Sequence, residues 1–170
     1  VYLDEDDLDV YQKHLDTKFQ KNYFSQTVEK GKIKKLDFDS FDLGDRKVSL
    51  IKTPGHTKGS VCIIDSFSHI AFLGDTINPF DVWLGLEEST SVETYKESLK
   101  KLLSEINKYK IDYLYSGHNI LPMKKKKLTD FISLCDEIIN NKVKGKKVDK
   151  GICKGYKAKY KSAALIYKER

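Results

Sequence analysis

Hydrophobic residues recur at intervals of three and four in three segments, the spacing that places side chains on one face of an α-helix. This pattern predicts amphipathic helices over residues 5–20, 91–109 and 124–141. The second of these helices starts at Thr90-Ser91-Val92-Glu93, which matches the capping box found at many helix N-termini.

Elsewhere the pattern changes to short apolar or alternating runs that are typical of β-strands. Six such runs predict strands over residues 33–41, 46–53, 60–65, 70–75, 111–116 and 162–167. The third and fourth runs are joined by four residues and predict a hairpin, whereas residues 145–155 are predicted to form a loop. This order of strands and helices favours an α+β or layered α/β fold over a Rossmann domain.

The length and composition set limits on the class of protein. A chain of 170 residues fits a single domain over residues 1–170. No apolar run reaches the roughly 18 residues that would span a membrane, and the acidic first residues do not resemble an export signal. Cys62, Cys135 and Cys153 form no C-x-x-C pair, which indicates reduced thiols and a cytoplasmic location.

The net charge of +6 is unevenly distributed. Residues 1–16 contain six acids and one Lys, whereas residues 142–170 contain eleven Lys or Arg and two acids. A basic end of this kind is one mark of a nucleic-acid-binding surface. Because no zinc-finger or RNP-like pattern accompanies it, we predict a solvated lysine-rich face and no nucleic-acid partner.

Three glycine-containing loops follow predicted strands and carry residues of the types that bind metals. They contain His56, Asp75 and His118. Gly55 and Gly59 are expected to give the first loop unusual backbone angles. Asp75 is expected to be buried at the end of its strand, so that it requires a cation or several donors beside it. His14 and His69 lie in no such setting and are predicted to be surface residues.

The sequences of these loops resemble three metal-binding motifs of the metallo-β-lactamase superfamily. The motifs are Thr-Pro-Gly-His-Thr-x-Gly-Ser at 53–60, Leu-Gly-Asp-Thr at 73–76 and Ser-Gly-His at 116–118. The segment from Ser91 to Leu102 is similar to that of glyoxalase-II-like members. The resemblance covers most of the chain and implies part of a four-layer αββα sandwich, with metal bound at one edge.

The resemblance also implies roles for individual residues. His56 would bind a first metal, His118 a second, and Asp75 would bridge the two and serve as the catalytic carboxylate. Imidazole and carboxylate ligands suit zinc, with two ions in the intact fold, and they are also compatible with iron or manganese. In hydrolases of this family the metals activate water and polarise the substrate.

The His-x-His-x-Asp-His motif of the family is absent from these 170 residues. We therefore expect the chain to be the C-terminal part of the fold, with the N-terminal half missing, and to be inactive by itself. The exposed sheet that this leaves predicts self-association or pairing with the missing segment.

The expected activity is hydrolysis of a small-molecule ester, thioester or lactone, and glyoxalase-II-like thioester hydrolysis is the nearest family activity. Trp83 is a candidate for lining a substrate pocket, and Lys58 is a candidate for contacting an anionic substrate. Two alternatives remain open at this point. One is a non-catalytic binding or assembly module, and the other is an oxidoreductase resembling the mononuclear-iron persulfide dioxygenases.

Overall fold

The computed structural model describes residues 2–15 and 32–169. Within these ranges the helices are α1 (Leu8–Leu15), which follows a 3-10 turn over Glu5–Asp7, α2 (Val92–Lys108) and α3 (Lys125–Ile139). The strands are β1 (Tyr2–Leu3), β2 (Lys34–Lys35), β3 (Ser40–Asp42), β4 (Lys47–Lys52), β5 (Val61–Asp65), β6 (Ile70–Phe72), β7 (Asp81–Leu84), β8 (Tyr113–Tyr115), β9 (Lys146–Lys150), β10 (Cys153–Tyr160) and β11 (Ala163–Tyr167).

The described strands form two larger sheets and a two-stranded pair. The five-stranded sheet has the order β3-β4-β5-β6-β8, the four-stranded sheet has the order β7-β11-β10-β9, and β1 pairs with β2. The predicted hairpin is confirmed, since β5 and β6 pair antiparallel. The chain then passes through β7 and α2 before β8 pairs in parallel with β6, which places the ends of β6 and β8 side by side.

Both larger sheets and helices α2 and α3 contribute to one hydrophobic core. Helix α2 packs against α3, and α3 packs against β10 and β11. The largest fully buried side chains are Tyr95, Phe131, Ile64, Leu73, Ile77, Leu84, Leu99, Leu102, Ile106, Leu114, Leu128 and Leu134. Of the four layers that the resemblance implies, the described residues therefore supply two sheets and a pair of packed helices.

The second face of the five-stranded sheet is apolar and accessible to solvent. Leu50, Ile63, Phe72 and Tyr115 stand in register across four of its strands. Ile63 is 37% exposed and Phe72 46% exposed. Scattered apolar residues are normal on protein surfaces, but contiguous apolar patches mark interaction sites. We call the face that contains these four residues the open face.

One sequence prediction is wrong in the C-terminal half, and one strand near the middle of the chain was missed. Residues 145–155 do not form a loop, because β9 and β10 pair antiparallel across a turn at Gly151, whose φ is +74°. The lysine-rich composition hid these strands, since their backbone groups pair while their side chains reach solvent. The sequence patterns also missed β7, which pairs in parallel with the last strand, β11.

Two other predicted elements are shorter in the structure. Of the helix predicted over 5–20, residues 5–15 are helical and Phe19 lies outside the described residues. The strand predicted over 33–41 is reduced to β2 and the start of β3. Helix α2 begins one residue later than the capping box suggests, because the N-cap is Ser91, whose hydroxyl accepts a hydrogen bond from the Thr94 amide.

All three cysteines are free thiols, as the sequence predicts, and the structure shows that all three are buried. In the ranges that the structure describes, no helix combines the length and apolar character needed to cross a bilayer.

Candidate metal centre

The loop between β4 and β5 holds His56 in a defined orientation. The Thr53 amide donates to the Ser60 carbonyl at 2.8 Å, which closes the base of the loop. The Nδ1 atom of His56 lies 2.9 Å from the backbone carbonyl oxygen of Trp83. Because a carbonyl can only accept, Nδ1 carries the proton in this contact, and the lone pair of Nε2 is left for a ligand.

Asp7 binds the same loop from the N-terminal part of the chain. Its carboxylate accepts hydrogen bonds from the Thr57 hydroxyl at 2.6 Å and from the Gly59 amide at 2.9 Å. A Cβ atom at Gly59 would lie 2.6 Å from the Asp7 carboxyl carbon, closer than such atoms can approach. The contact between Asp7 and the loop therefore depends on the glycine.

The prediction that Gly55 and Gly59 give the His56 loop unusual backbone angles is wrong. Neither Gly55 nor Gly59 has a positive φ, so neither is required for an unusual backbone angle. Both leave space instead, since a Cβ at Gly55 would lie only 2.4 Å from the ring of Tyr95. The glycines permit close packing of the His56 loop on its neighbours.

Asp75 and His118 come together because their loops extend the pairing of β6 with β8. The Leu73 amide donates to the Tyr115 carbonyl at 2.7 Å, and the Gly117 amide donates to the Gly74 carbonyl at 2.8 Å. Gly74 has a φ of +51°, a left-handed conformation that suits glycine and turns the chain at Asp75.

The three candidate ligands meet around the carboxylate of Asp75. The Nε2 atom of His118 lies 2.9 Å from Asp75 Oδ1, and the Nε2 atom of His56 lies 3.9 Å from Asp75 Oδ2. The expectation that Asp75 is buried is only partly correct, because its side chain is 36% exposed. Its Oδ1 atom is nevertheless buried and accepts no hydrogen bond from the described residues.

These contacts fit part of a metal site. The Oδ1 atom of Asp75 and the hydroxyl of Ser116 are buried polar atoms without hydrogen-bond partners among the described residues, and such atoms are costly unless a ligand satisfies them. The donors are imidazole nitrogen and carboxylate oxygen, which suit zinc. Among the described residues, however, no three His, Cys, Asp or Glu side chains are arranged around one ion position.

The two candidate substrate residues lie close to His56 in different ways. Lys58 is exposed on the His56 loop. Trp83 contacts His56 through its backbone carbonyl, whereas its ring packs against a small cluster of Leu86, Cys153 and Ile166. The ammonium group of Lys150 lies 5.3 Å from the centroid of the Trp83 ring. Substrate contacts for Lys58 and Trp83 stay predictions.

The other two histidines lie outside this centre. His69 is exposed, as predicted, and its Nδ1 atom is 3.1 Å from the Lys110 carbonyl oxygen. The backbone of His14 is part of α1, and its side chain lies outside the described residues.

The groups that support His56 were not predicted from the sequence. Besides the Trp83 carbonyl, the Ser89 hydroxyl donates to the His56 carbonyl at 2.7 Å. A backbone carbonyl carries no residue-type signal, so its role could not be predicted from the pattern. In the sequence, Tyr95 is one of the apolar positions of the helix predicted over residues 91–109, and this pattern predicts burial but no link to the site.

A family model described as the metallo-beta-lactamase superfamily matches residues 3–118 of this chain. The matched range is more than half of the 170 residues and contains His56, Asp75 and His118.

Sequence relatives with assigned names match shorter segments. An acyl-coenzyme A thioesterase of Gallus gallus is 29% identical over 82 residues, which are 47% of this chain and 28% of that protein. A probable polyketide biosynthesis zinc-dependent hydrolase of Bacillus subtilis is 28% identical over 83 residues, 49% of this chain and 35% of its own length. A hydroxyacylglutathione hydrolase of Maricaulis maris is 43% identical over 67 residues, 39% of this chain and 25% of the relative.

Solved structures support the fold at low sequence identity. An archaeal metallo-beta-lactamase superfamily protein from Sulfolobus tokodaii matches with a TM-score of 0.55 and 18% identity, over 78% of this chain and 56% of the other. The DIM-1 metallo-beta-lactamase matches with a TM-score of 0.50 and 20% identity, over 71% of this chain and 52% of the other. The chain thus spans about half the length of these structures.

Proposed function

Because this chain belongs to the metallo-beta-lactamase superfamily, we propose that the protein is a metal-dependent hydrolase of a small-molecule thioester. The observation that carries this proposal is the position of Asp75 between two imidazoles. Its buried Oδ1 atom accepts no hydrogen bond from the described residues although His118 Nε2 lies 2.9 Å away. A carboxylate in this setting is suited to binding a cation.

His56 and Asp75 would hold one ion, and His118 and Asp75 a second. Zinc is the proposed metal, with iron or manganese as outcomes that metal analysis can distinguish. When bound, the ions would supply a water activated at neutral pH and would polarise the acyl carbonyl group. Each ion requires more ligands than the described residues provide, so further ligands come from outside them.

The chain's own residues would prepare these ligands before metal or substrate binds. The Trp83 carbonyl accepts the Nδ1 proton of His56 and so selects the tautomer with a free Nε2 lone pair. The single Ser89 hydroxyl proton is donated to the His56 carbonyl at 2.7 Å and shared with the Trp83 carbonyl at 3.3 Å, which holds both residues in one arrangement. Lys58, exposed on the same loop, would contact an anionic part of the substrate.

The choice of a thioester comes from the relatives. One is named an acyl-coenzyme A thioesterase and another a hydroxyacylglutathione hydrolase. Coenzyme A and glutathione both carry acyl groups on sulfur, so a thioester is the chemistry that the two substrates share. An Asp at position 75 fits this group better than the commonest zinc β-lactamases, in which the family resemblance implies a Cys.

The open face is proposed to be covered by the part of the protein that supplies the further ligands. Ile63 and Phe72 are partly exposed there at the centre of a sheet, and contiguous apolar surface of this kind marks an interaction site. The 170-residue chain alone would then bind hydrophobic dyes and self-associate. A monomeric chain that binds no such dye would contradict this part of the proposal.

The test is metal analysis and thioester hydrolysis with the natural gene product that contains this sequence. We expect about two metal ions per chain and hydrolysis of acyl-coenzyme A or S-acylglutathione. Asp75→Asn should reduce metal affinity by more than about a hundredfold, because loss of even an outer partner of a ligand costs about 10- to 100-fold. The matched control is Asp112→Asn. Asp112 is an exposed carboxylate six residues before His118, and its substitution should change neither quantity.

A gene product without metal would overturn the hydrolase proposal and favour the non-catalytic binding module. A protein with one iron per chain and no thioesterase activity would favour the oxidoreductase.

A further inference from the structure

Tyr95 lies between the His56 loop and the Asp75 loop and contacts both. Its side chain is fully buried on the first turn of α2. The ring lies against Gly55, where a Cβ atom would approach Tyr95 Cδ2 to 2.4 Å. The hydroxyl donates a hydrogen bond of 2.6 Å to the carbonyl of Thr76, the residue after Asp75.

The start of α2 is itself attached to the His56 loop. The Thr90 amide donates to the Gly55 carbonyl at 2.9 Å, and the Ser98 hydroxyl donates to the Pro54 carbonyl at 2.7 Å. These bonds fix α2 relative to the residues that precede His56. Tyr95 then extends from this fixed frame to the backbone next to Asp75.

We propose that Tyr95 is a positioning residue that sets the separation between His56 and Asp75. The inference rests on the proposed function, because the two loops matter as carriers of metal ligands. The Tyr95 ring occupies the space that Gly55 leaves, and its hydroxyl holds the Thr76 carbonyl, so one rigid side chain spans both loops. The proposal extends the site to a residue that does not itself touch the ligands.

The burial of Tyr95 keeps its hydroxyl available as a donor, since burial raises the pKa of this phenol well above its ordinary value. A second link joins the same loops, because the hydroxyls of Thr53 and Thr76 lie 2.9 Å apart. Loss of the Tyr95 hydroxyl alone should therefore loosen the loops without separating them.

The experiment compares Tyr95→Phe with Tyr156→Phe in the natural gene product. Both variants lose one tyrosine hydroxyl hydrogen bond, and that of Tyr156 goes to Glu169 away from both loops. Amide hydrogen exchange of Gly55 and Thr76 is measured in the metal-free protein, and the dissociation constant for Zn²⁺ is measured by chelator competition. Both amides make hydrogen bonds within their own loops, so their exchange reports loop opening.

We expect Tyr95→Phe to accelerate exchange of both amides about fivefold or more, since one hydrogen bond contributes roughly that factor, and to weaken Zn²⁺ binding about tenfold. Tyr156→Phe should change neither. Ser98→Ala, which removes the hydroxyl contacts with the Pro54 and Thr94 carbonyls but none with Thr76, should accelerate the Gly55 amide and leave the Thr76 amide unchanged.

The outcomes separate this inference from the proposed function. Unchanged exchange at both amides in Tyr95→Phe overturns the positioning role, whether or not the protein binds metal. Faster exchange with Zn²⁺ affinity within twofold of the wild type also overturns it, because the spacing would then not matter to the ligands. Faster exchange in a protein that binds no metal even as the wild type supports the coupling of the loops and rejects the metal site.

Discussion

The loops that carry His56 and His118 differ in how firmly the rest of the chain holds them. The His56 side chain is 22% exposed, and its ring, its carbonyl and the loop around it are bound by Trp83, Ser89 and Asp7. The His118 side chain is 65% exposed, and the ring contact that the structure gives it is with Asp75. Ile120, two residues later, is 91% exposed.

This difference shows which part of the site the chain organises by itself. A ligand whose second nitrogen is hydrogen-bonded keeps its tautomer and orientation before the metal arrives. His56 meets that condition through the Trp83 carbonyl, whereas the ring contact of His118 among the described residues is with Asp75, itself a proposed ligand. Four sets of variants test the contrast, from the largest expected effect to the smallest.

Gly55→Ala should be the most damaging small change in either loop. The new methyl group would lie 2.4 Å from the buried Tyr95 ring, and overpacking of this kind costs about 1–3 kcal/mol or more. Gly117→Ala in the His118 loop is the matched control, because its nearest neighbour, Asp75 Oδ1, is 3.4 Å away. Urea unfolding should show a loss of about 3 kcal/mol for the first and of less than about 0.5 kcal/mol for the second. Equal losses would contradict the contrast.

Asp7→Ala should loosen the His56 loop from the N-terminal side. It removes the acceptor for the Thr57 hydroxyl and the Gly59 amide, at an expected cost of about 2 kcal/mol for the two lost hydrogen bonds. Chemical denaturation of this variant is compared with Asp9→Ala, an exposed acid on α1. A smaller loss for Asp7→Ala than for Asp9→Ala would show that the hydrogen bonds between Asp7 and the His56 loop do not stabilise the protein.

Asp81→Asn should weaken the strand that presents the Trp83 carbonyl. The loss of stability should be present at neutral pH and disappear at acidic pH. Burial by itself would raise the pKa of Asp81, but hydrogen bonds from Lys157 and Lys150 outweigh it and lower the pKa. A carboxylate with a lowered folded-state pKa stabilises the fold above its unfolded pKa of about 3.9, and the contribution disappears as the pH falls through the folded value. The difference in unfolding free energy should be about 1–2 kcal/mol at pH 7 and shrink below about pH 4. A difference that does not vary with pH would exclude the ion pairs as its cause.

His56→Ala and His118→Ala should have the smallest effects on stability. The two variants are compared in the metal-free protein. The first removes the hydrogen bond to Trp83 and should cost about 1 kcal/mol. The second changes an exposed side chain and should stay within about 0.5 kcal/mol of the wild type. Thermal unfolding in the presence of a chelator measures both, and a larger loss for His118→Ala would reverse the comparison.

Local patterns predicted much of the fold where one hydrophobic face dominates an element. Helices α2 and α3 and the hairpin of β5 and β6 were found with ends within a few residues, because their apolar spacing reflects burial on one side. β7, β9 and β10 were missed. Their pairing depends on partners distant in sequence, and in β9 and β10 lysines mask the backbone hydrogen bonds.

The sequence alone determined which residues are candidates for the site and to which family the loops are similar. His56, Asp75 and His118 stand out because each follows a predicted strand in a glycine-containing loop, a signal of residue type and spacing. Their arrangement was decided only by the tertiary structure. Parallel pairing of β6 with β8 brings Asp75 beside His118, and the bond from His56 to Trp83 spans 27 positions. Such contacts are absent from local patterns, because hydrogen bonds and packing depend on distance in space and not along the chain.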